Sequence, residues 1–335
     1  MSDDEETTMD ETYDVVVVGG GAAGLSGALC LARARRSVLV VDDATPRNAR
    51  AGHVHNFLTR DGTPPAELVA IGRAEAAGYG AAFRDATATA VEAVAPGGDR
   101  AARFALTLSD GSRVAARRLL VTTGLADELP DVEGLADHWG SSVLHCPFCH
   151  GWEVRDRPVA VVSSGPLTAH QALLWSHWTS DLTVIGPVAQ DRVEELEARG
   201  VTLVPGEAVA VVEDDGRLVG LRLRDGSVVA CEAVVVAARA MARSALLDQL
   251  GVPTQDLVVE GEAVGRFVTA GADGATEVDG VWVAGNVADP RAQVITSAAA
   301  GLTAGAAITF DLLAEETRHA VAARRASAAA AVAQG

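Results

Sequence analysis

"YDVVVVGGGAAGLSGALCLARARRSVLVVDD", residues 13–43, carries the order of elements on which the fold turns. Val15–Val18 is an all-valine run, suited to a strand buried on both faces. Gly19-x-Gly21-x-x-Gly24 follows at once, with Ala23 in its last spacer. Leu25–Arg35 has helical spacing and good helix formers, and Ser37–Val41 is a second apolar run ending at Asp42 and Asp43. Strand, glycine turn, helix, strand is the dinucleotide-binding order. Gly19 permits the tight turn, Gly21 lets the backbone approach a pyrophosphate, and Gly24 lets helix and strand pack closely. Free N–H groups at the helix start attract the phosphates. Asp42 stands where a carboxylate binds a ribose hydroxyl, and its charge opposes a 2′-phosphate, so this half favours FAD or NAD over NADP.

A chain of 335 residues suits two domains, and 49% hydrophobic residues with 4% aromatics indicate an α/β protein. The net charge of −18 argues against nucleic acid and anionic membrane as partners. No lysine occurs, which excludes a Walker lysine and a Schiff-base lysine together. Residues 1–12 read as an acidic, solvated leader without the apolar region of a secretory signal, and 316–335 read as an Ala-rich tail. No long uncharged apolar run suggests a membrane span, so the expected location is the cytoplasm, where structural disulfides are rare. Cys30 and Cys231 lie in apolar runs and read as buried thiols; only Cys146 and Cys149 have a redox spacing.

The segment "TEVDGVWVAGNVADPRAQVITSAAAG", 276–301, resembles the second FAD motif of two-dinucleotide-domain flavoproteins. A strand, Val281–Ala284, runs into Gly285-Asn286, and Gln293-Val294 opens a small-residue helix. The resemblance implies that residue 286 holds the ribityl chain and that the helix start faces the flavin, where its dipole favours negative charge. The usual Asp is Asn286 here; an amide can still hydrogen-bond a hydroxyl. "LLVTTG", 119–124, resembles the crossover at which such chains leave the FAD domain, through Thr123 and Gly124, and "AVVVAARA", 233–240, is the matching return. The expected architecture is α/β with two Rossmann-like domains, the second inserted in the first: 13–121 with 241–315, and 122–240.

The insert repeats the pattern in degraded form over 157–186. Ser163 stands where the first glycine belongs, and Pro166 removes a backbone donor near the phosphate position. Arg192 is followed by Glu194 and Glu195, so no arginine pair grips a 2′-phosphate. The fold of a nicotinamide domain is kept, and NAD(P)H binding stays open.

"HCPFCHGWE", 145–153, has three readings. A structural zinc site needs four ligands, normally as two separated pairs, and no second pair occurs, so no metal is expected. Cys146-x-x-Cys149-His150 literally matches a haem attachment, but that chemistry belongs outside the cytoplasm. A redox-active disulfide remains: a helix start activates a thiolate, Pro147 suits the first helical position, and His150 titrates near neutrality.

These motifs, in this order from 13 to about 315, resemble the low-molecular-weight thioredoxin reductase family. The resemblance implies that Cys149 faces the flavin, that Cys146 exchanges with substrate, and that the protein is a homodimer. That family usually carries Asp after the second cysteine; here it is His150. "CPFCHGWE" resembles the FAD-dependent dithiol oxidases of the gliotoxin, holomycin and romidepsin pathways. The implied activity is oxidation of a small-molecule dithiol to a cyclic disulfide, with electrons passing to FAD and then O2 and with His150 as base. An NAD(P)H-dependent thioredoxin or disulfide reductase, a ferredoxin-linked variant and a non-enzymatic flavin redox sensor stay open beside it.

Within "RAGHVHNFLTRDG", 50–62, His53, His55 and Asn56 are candidates to touch the cofactor or line the substrate pocket, or belong to a solvated loop. Arg47 is expected at the FAD phosphates or adenosine, and Trp175 and Trp178 read as packing one helical turn apart.

Overall fold

A computed structural model describes residues 11–95 and 101–333. Most of the expected acidic leader therefore lies outside the described residues, and Thr12 already opens the first strand, Thr12–Val18. That strand is central in its sheet, whose order is Ala82–Asp85, Val38–Asp42, Thr12–Val18, Arg113–Val121, Phe104–Leu108, Ala88–Ala93. Val15, Val16 and Val17 are fully buried, as a strand covered on both faces requires.

On the side away from Thr12–Val18, the strand Arg113–Val121 serves two partners in turn. Its first half pairs antiparallel with Phe104–Leu108, and Leu119–Val121 pairs parallel with Val281–Val283. The segment resembling a second FAD motif thereby joins the sheet built by the first. The helix Ala22–Arg33 packs on the C-terminal helix Val294–Ala333 through glycines. A Cβ on Gly301 would fall 1.9 Å from the Ala23 carbonyl oxygen, and one on Gly305 2.9 Å from that of Gly27. Backbones this close leave no room for a side chain, which explains the small-residue composition of the last helix.

A second parallel sheet, Thr202–Val204, Leu182–Ile185, Val159–Val162, Ala233–Val236 and Val143–Leu144, lies wholly between the two halves of the first in sequence. A three-stranded antiparallel sheet, Ala208–Asp214, Arg217–Leu223 and Val228–Ala230, covers it. The outgoing and returning chains pair with each other: Leu125–Glu128 lies antiparallel to Arg239–Ala242, which also pairs with the hairpin Thr254–Val259 and Glu262–Val268. The sequence boundary between 240 and 241 thus falls inside a strand.

The boundary expected at 315/316 falls inside the long C-terminal helix, for an electrostatic reason. Arg117 and Arg118, on the interior strand Arg113–Val121, are almost fully buried. Arg117 bonds Asp14, Glu315 and Glu316 at 2.7 to 2.9 Å, and Arg118 bonds Asp311 and Glu315 at 2.5 and 2.6 Å. Buried guanidinium groups need such partners, so the helix is held to the sheet past residue 315. Val294–Val332 is long and apolar enough to cross a membrane by length and composition. Its Ala304, Ile308 and Leu312 are fully buried in the protein's own core, while Leu302, Phe310 and Leu313 are exposed.

Candidate active site

The glycine turn is built as a cradle. Gly19 has φ +105°, and a Cβ on Gly24 would fall 1.9 Å from the Gly19 carbonyl oxygen, so helix and strand meet there backbone to backbone. Gly21 has open space where its side chain would be. The helix it caps starts with no side-chain cap and no acidic residue in its first turn, which leaves its amides to an outside anion. Asp42 accepts the Gly20 N–H at 2.7 Å, holding the ribose-side carboxylate against the turn. Asp43 closes its own turn instead, accepting from the Thr45 amide and hydroxyl at 3.1 and 2.6 Å. An open, donor-rich, side-chain-free surface of this kind fits a dinucleotide pyrophosphate.

On the C-terminal side, Gly285 has φ +78°, and a Cβ there would meet that of Ala23 at 2.9 Å, so Ala23 is a contact point of the two motifs. The Asn286 amide donates to the carbonyls of Asp289 and Ala292 at 3.0 and 2.9 Å. Its nitrogen thus braces the loop and its oxygen is left to accept. The Gln293 carbonyl accepts from the Ser297 amide and Thr296 hydroxyl at 2.8 and 2.9 Å, and the helix opens at Val294. At the crossover, Gly124 has φ +71° and its carbonyl accepts the Arg243 N–H at 3.0 Å. The Thr123 hydroxyl donates to the Arg243 carbonyl at 2.7 Å.

The cysteine pair sits on the one-turn helix Pro147–His150, with Cys146 in extended conformation just before it. The thiols lie within hydrogen-bonding reach of each other, and this splits them. The Cys149 thiol's hydrogen bond pulls Cys146 below the ordinary thiol value against the effect of burial, helped by the Cys149 and Phe148 amides and the Arg47 charge. Cys149 is pushed up by its bond to Cys146, by burial and by the charge on Cys146. These surroundings favour the thiolate on Cys146 over one on Cys149.

Burial lowers His150 below its usual value; Glu153 opposes this and His55 adds to it. A neutral imidazole at this place can accept a proton. His145 is driven to about 4 by burial and the Arg47 charge, and it stacks on Trp139 at 5.6 Å. It is a packing residue with a neutral ring.

Three expected cofactor residues face the cysteine helix in this structure. Arg47 spends Nε and Nη2 on Asp127, each at 2.6 Å, and its charge bears on His145, Cys146 and Cys149. Asn56, at φ +59°, donates to the Phe148 carbonyl at 2.6 Å. His55 lies between Asp61 and Glu153, on the wall of a cavity of about 140 Å³ shared with His53 and His150.

The degraded second loop is tied to itself. The Thr168 hydroxyl donates to the Gly165 carbonyl at 2.7 Å and accepts the Ser164 N–H at 3.2 Å, while the Ser163 hydroxyl donates to the Pro187 carbonyl at 2.6 Å. A Cβ on Gly165 would lie 3.2 Å from a carboxylate oxygen of Glu262, so a negative group occupies the space before this loop. Trp175 is fully buried as expected, while Trp178 packs edge-on against Phe148 at 5.7 Å and under Gly151.

Thr122, Gly20, Asp127, Glu153 and Glu262 escaped the sequence reading. The Thr122 hydroxyl bonds the Val18 and Gly19 carbonyls at 3.0 and 2.8 Å, pinning the glycine turn. The repeated threonines of "VTTG" were a visible signal for it. The other four act across long sequence distances, which no local spacing encodes.

A nucleotide cradle and a polarised thiol pair in one chain belong to a flavin-dependent disulfide oxidoreductase. Residues 13–305 match the family described as pyridine nucleotide-disulphide oxidoreductase, and the chain belongs to that family. It is similar to thioredoxin reductase tcpT of Claviceps purpurea, at 30% identity over 314 residues, covering 90% of this chain and 95% of that one. A probable thioredoxin reductase of Arthroderma benhamiae is 36% identical over 156 residues, 46% of this chain and only 38% of that protein. Among solved structures, the crystal structure of HlmI matches with a TM-score of 0.87 and 41% identity, over 95% of this chain and 98% of that one.

Proposed function

We propose that this protein is an FAD-dependent dithiol oxidase that closes a small-molecule dithiol to a cyclic disulfide, with O2 as the final electron acceptor. The observation that carries the direction is the second nucleotide loop: its hydroxyls are bonded to its own neighbourhood, and the Glu262 carboxylate faces Gly165. A carboxylate in front of a phosphate loop repels NAD(P)H, so electrons are more readily disposed of than received here.

Bound at the first cradle, FAD supplies a two-electron acceptor for the reduced cysteine pair. Gly21 and the uncapped helix start receive its pyrophosphate, Asp42 the ribose, and the Asn286 oxygen a ribityl hydroxyl. In the chain's own chemistry, His150 takes the proton of one substrate thiol, and that thiolate attacks Cys146 in the Cys146–Cys149 disulfide. Cys149 leaves as a thiolate and, its thiol value being raised, takes that proton back from His150. His150 then takes the proton of the second substrate thiol, and this second thiolate attacks the substrate sulfur of the mixed disulfide. Cys146 leaves as the thiolate its surroundings favour, since a low-pKa thiol is the better leaving group. The protein acts in the cytoplasm as a homodimer; the exposed Leu302, Phe310 and Leu313 of the last helix support a subunit contact there.

Oxygen uptake and peroxide formation with a small dithiol, with and without NADPH, test this reading. Uptake independent of NADPH is expected. The second reading, an NAD(P)H-dependent disulfide reductase, is favoured by the thioredoxin reductase names of the relatives. Rapid flavin bleaching by NADPH without oxygen would establish it instead.

A further inference from the structure

A cavity of about 140 Å³ opens beside His150, with Arg50, His53, His55 and Glu153 in its walls. That volume has room for several waters, and these four side chains offer them polar partners. His55 is clamped between two carboxylates: Nε2 lies 3.3 Å from Glu153 Oε1, and Nδ1 lies 3.5 Å from Asp61 Oδ2. Both carboxylates are more exposed than the histidine between them: the His55 side chain is 22% exposed, Glu153 40% and Asp61 67%. Glu153 is fixed relative to His150, because its N–H donates to the His150 carbonyl at 3.2 Å. Asn56, next to His55, donates to the Phe148 carbonyl and locks the same loop onto the cysteine helix.

We propose that His55, bridging Glu153 and Asp61, is the proton outlet of the dithiol reaction, passing to solvent the proton that His150 takes from the substrate. This rests on the dithiol-oxidising reading above. The balance requires an outlet. Converting R(SH)2 to the cyclic disulfide removes two electrons and two protons, and the enzyme disulfide takes both electrons as its S–S bond breaks. With Cys149 as thiol and Cys146 as thiolate, one proton stays on the enzyme and one must leave. The cavity that His150 and His55 both line gives the proton a way out. Only S–H, N–H and O–H bonds change along this row. His55 acts through His150 and is a positioning and relay residue.

Chemical rescue tests this directly, with dithiothreitol as the probe. Flavin bleaching and proton release to an indicator dye are followed after anaerobic mixing of the holoenzyme in dilute, bulky buffer across pH 5.5–8. His55→Ala should slow both signals by about 10- to 100-fold, within the range of a lost acid–base group. Added imidazole, small enough to enter the cavity, should restore most of the rate. Glu153→Gln should give a smaller loss and move the acidic limb of the pH profile. A His55→Ala rate equal to wild type in dilute buffer, or a loss that imidazole leaves in place, overturns the proposal. Wild-type holoenzyme whose flavin dithiothreitol does not bleach overturns the underlying reading, and the outlet with it.

Discussion

Arg47 grips Asp127 through two hydrogen bonds of 2.6 Å, Nε to Oδ2 and Nη2 to Oδ1. One residue follows the strand that ends at Asp42; the other lies on the strand leaving for the inserted domain. The pair fastens the crossover to the nucleotide-binding loop and sets a guanidinium charge where both thiols feel it.

Arg47→Ala should leave Asp127, whose side chain is 5% exposed, as an unpaired buried charge, and so cost about 3 kcal/mol of stability. Asp127→Asn combined with it should recover part of that loss, which denaturant titration reads. Arg47→Ala should also move Cys146 alkylation by iodoacetamide to higher pH, because a charge that favours its thiolate is gone.

The split between the thiols predicts an order of reaction. In the reduced protein, limiting iodoacetamide at neutral pH should modify Cys146 well before Cys149, as peptide mass analysis would show. Raising the pH should narrow the difference. Equal labelling of both residues at neutral pH would contradict the assignment of Cys146 as the thiolate.

Glu315 supplies an acid-sensitivity prediction with a definite sign. Burial pushes its carboxyl up, but the hydrogen bonds from Arg117 and Arg118 outweigh that and bring it down to about 2, below the usual 4.5. A folded value below the unfolded one means that the stabilisation is complete above about 4.5 and is lost as pH falls towards about 2. Glu315→Gln should therefore lower stability at pH 7 by about 3 kcal/mol, and the gap to wild type should shrink through this window in urea unfolding.

Asn286→Asp, the change to the usual residue of the resembled motif, should destabilise this protein. The carboxylate cannot donate to the Asp289 and Ala292 carbonyls and would face them instead. Loss of two donor bonds predicts about 1–3 kcal/mol, visible as a lower Tm, together with faster flavin release from the holoenzyme.

Much of this molecule was legible in the chain. The all-valine strand, the glycines at 19, 21 and 24 and the acid at 42 define a local unit, because their spacing satisfies one turn's steric needs without help from elsewhere. The degraded loop at 163–169 was legible for the same reason, and the structure adds a carboxylate before it: Glu262 arrives from a hairpin nearly a hundred residues away. Arg47, His55 and Asn56 were recognised as polar residues of interest, yet their partners are Asp127, Glu153 and Phe148, which no spacing predicts.

The sequence by itself determined the two nucleotide-binding folds, the insertion of one within the other and the cysteine pair, since each rests on short-range periodicity, glycine sterics or a fixed Cys spacing. Only the tertiary structure decided which thiol its surroundings favour as thiolate, that the last helix is bound to the sheet through Arg117 and Arg118, and that His55 and His150 share one cavity. Those properties depend on burial and on charges brought together across the fold. Both follow from distance in space, which the order of residues along a chain does not record.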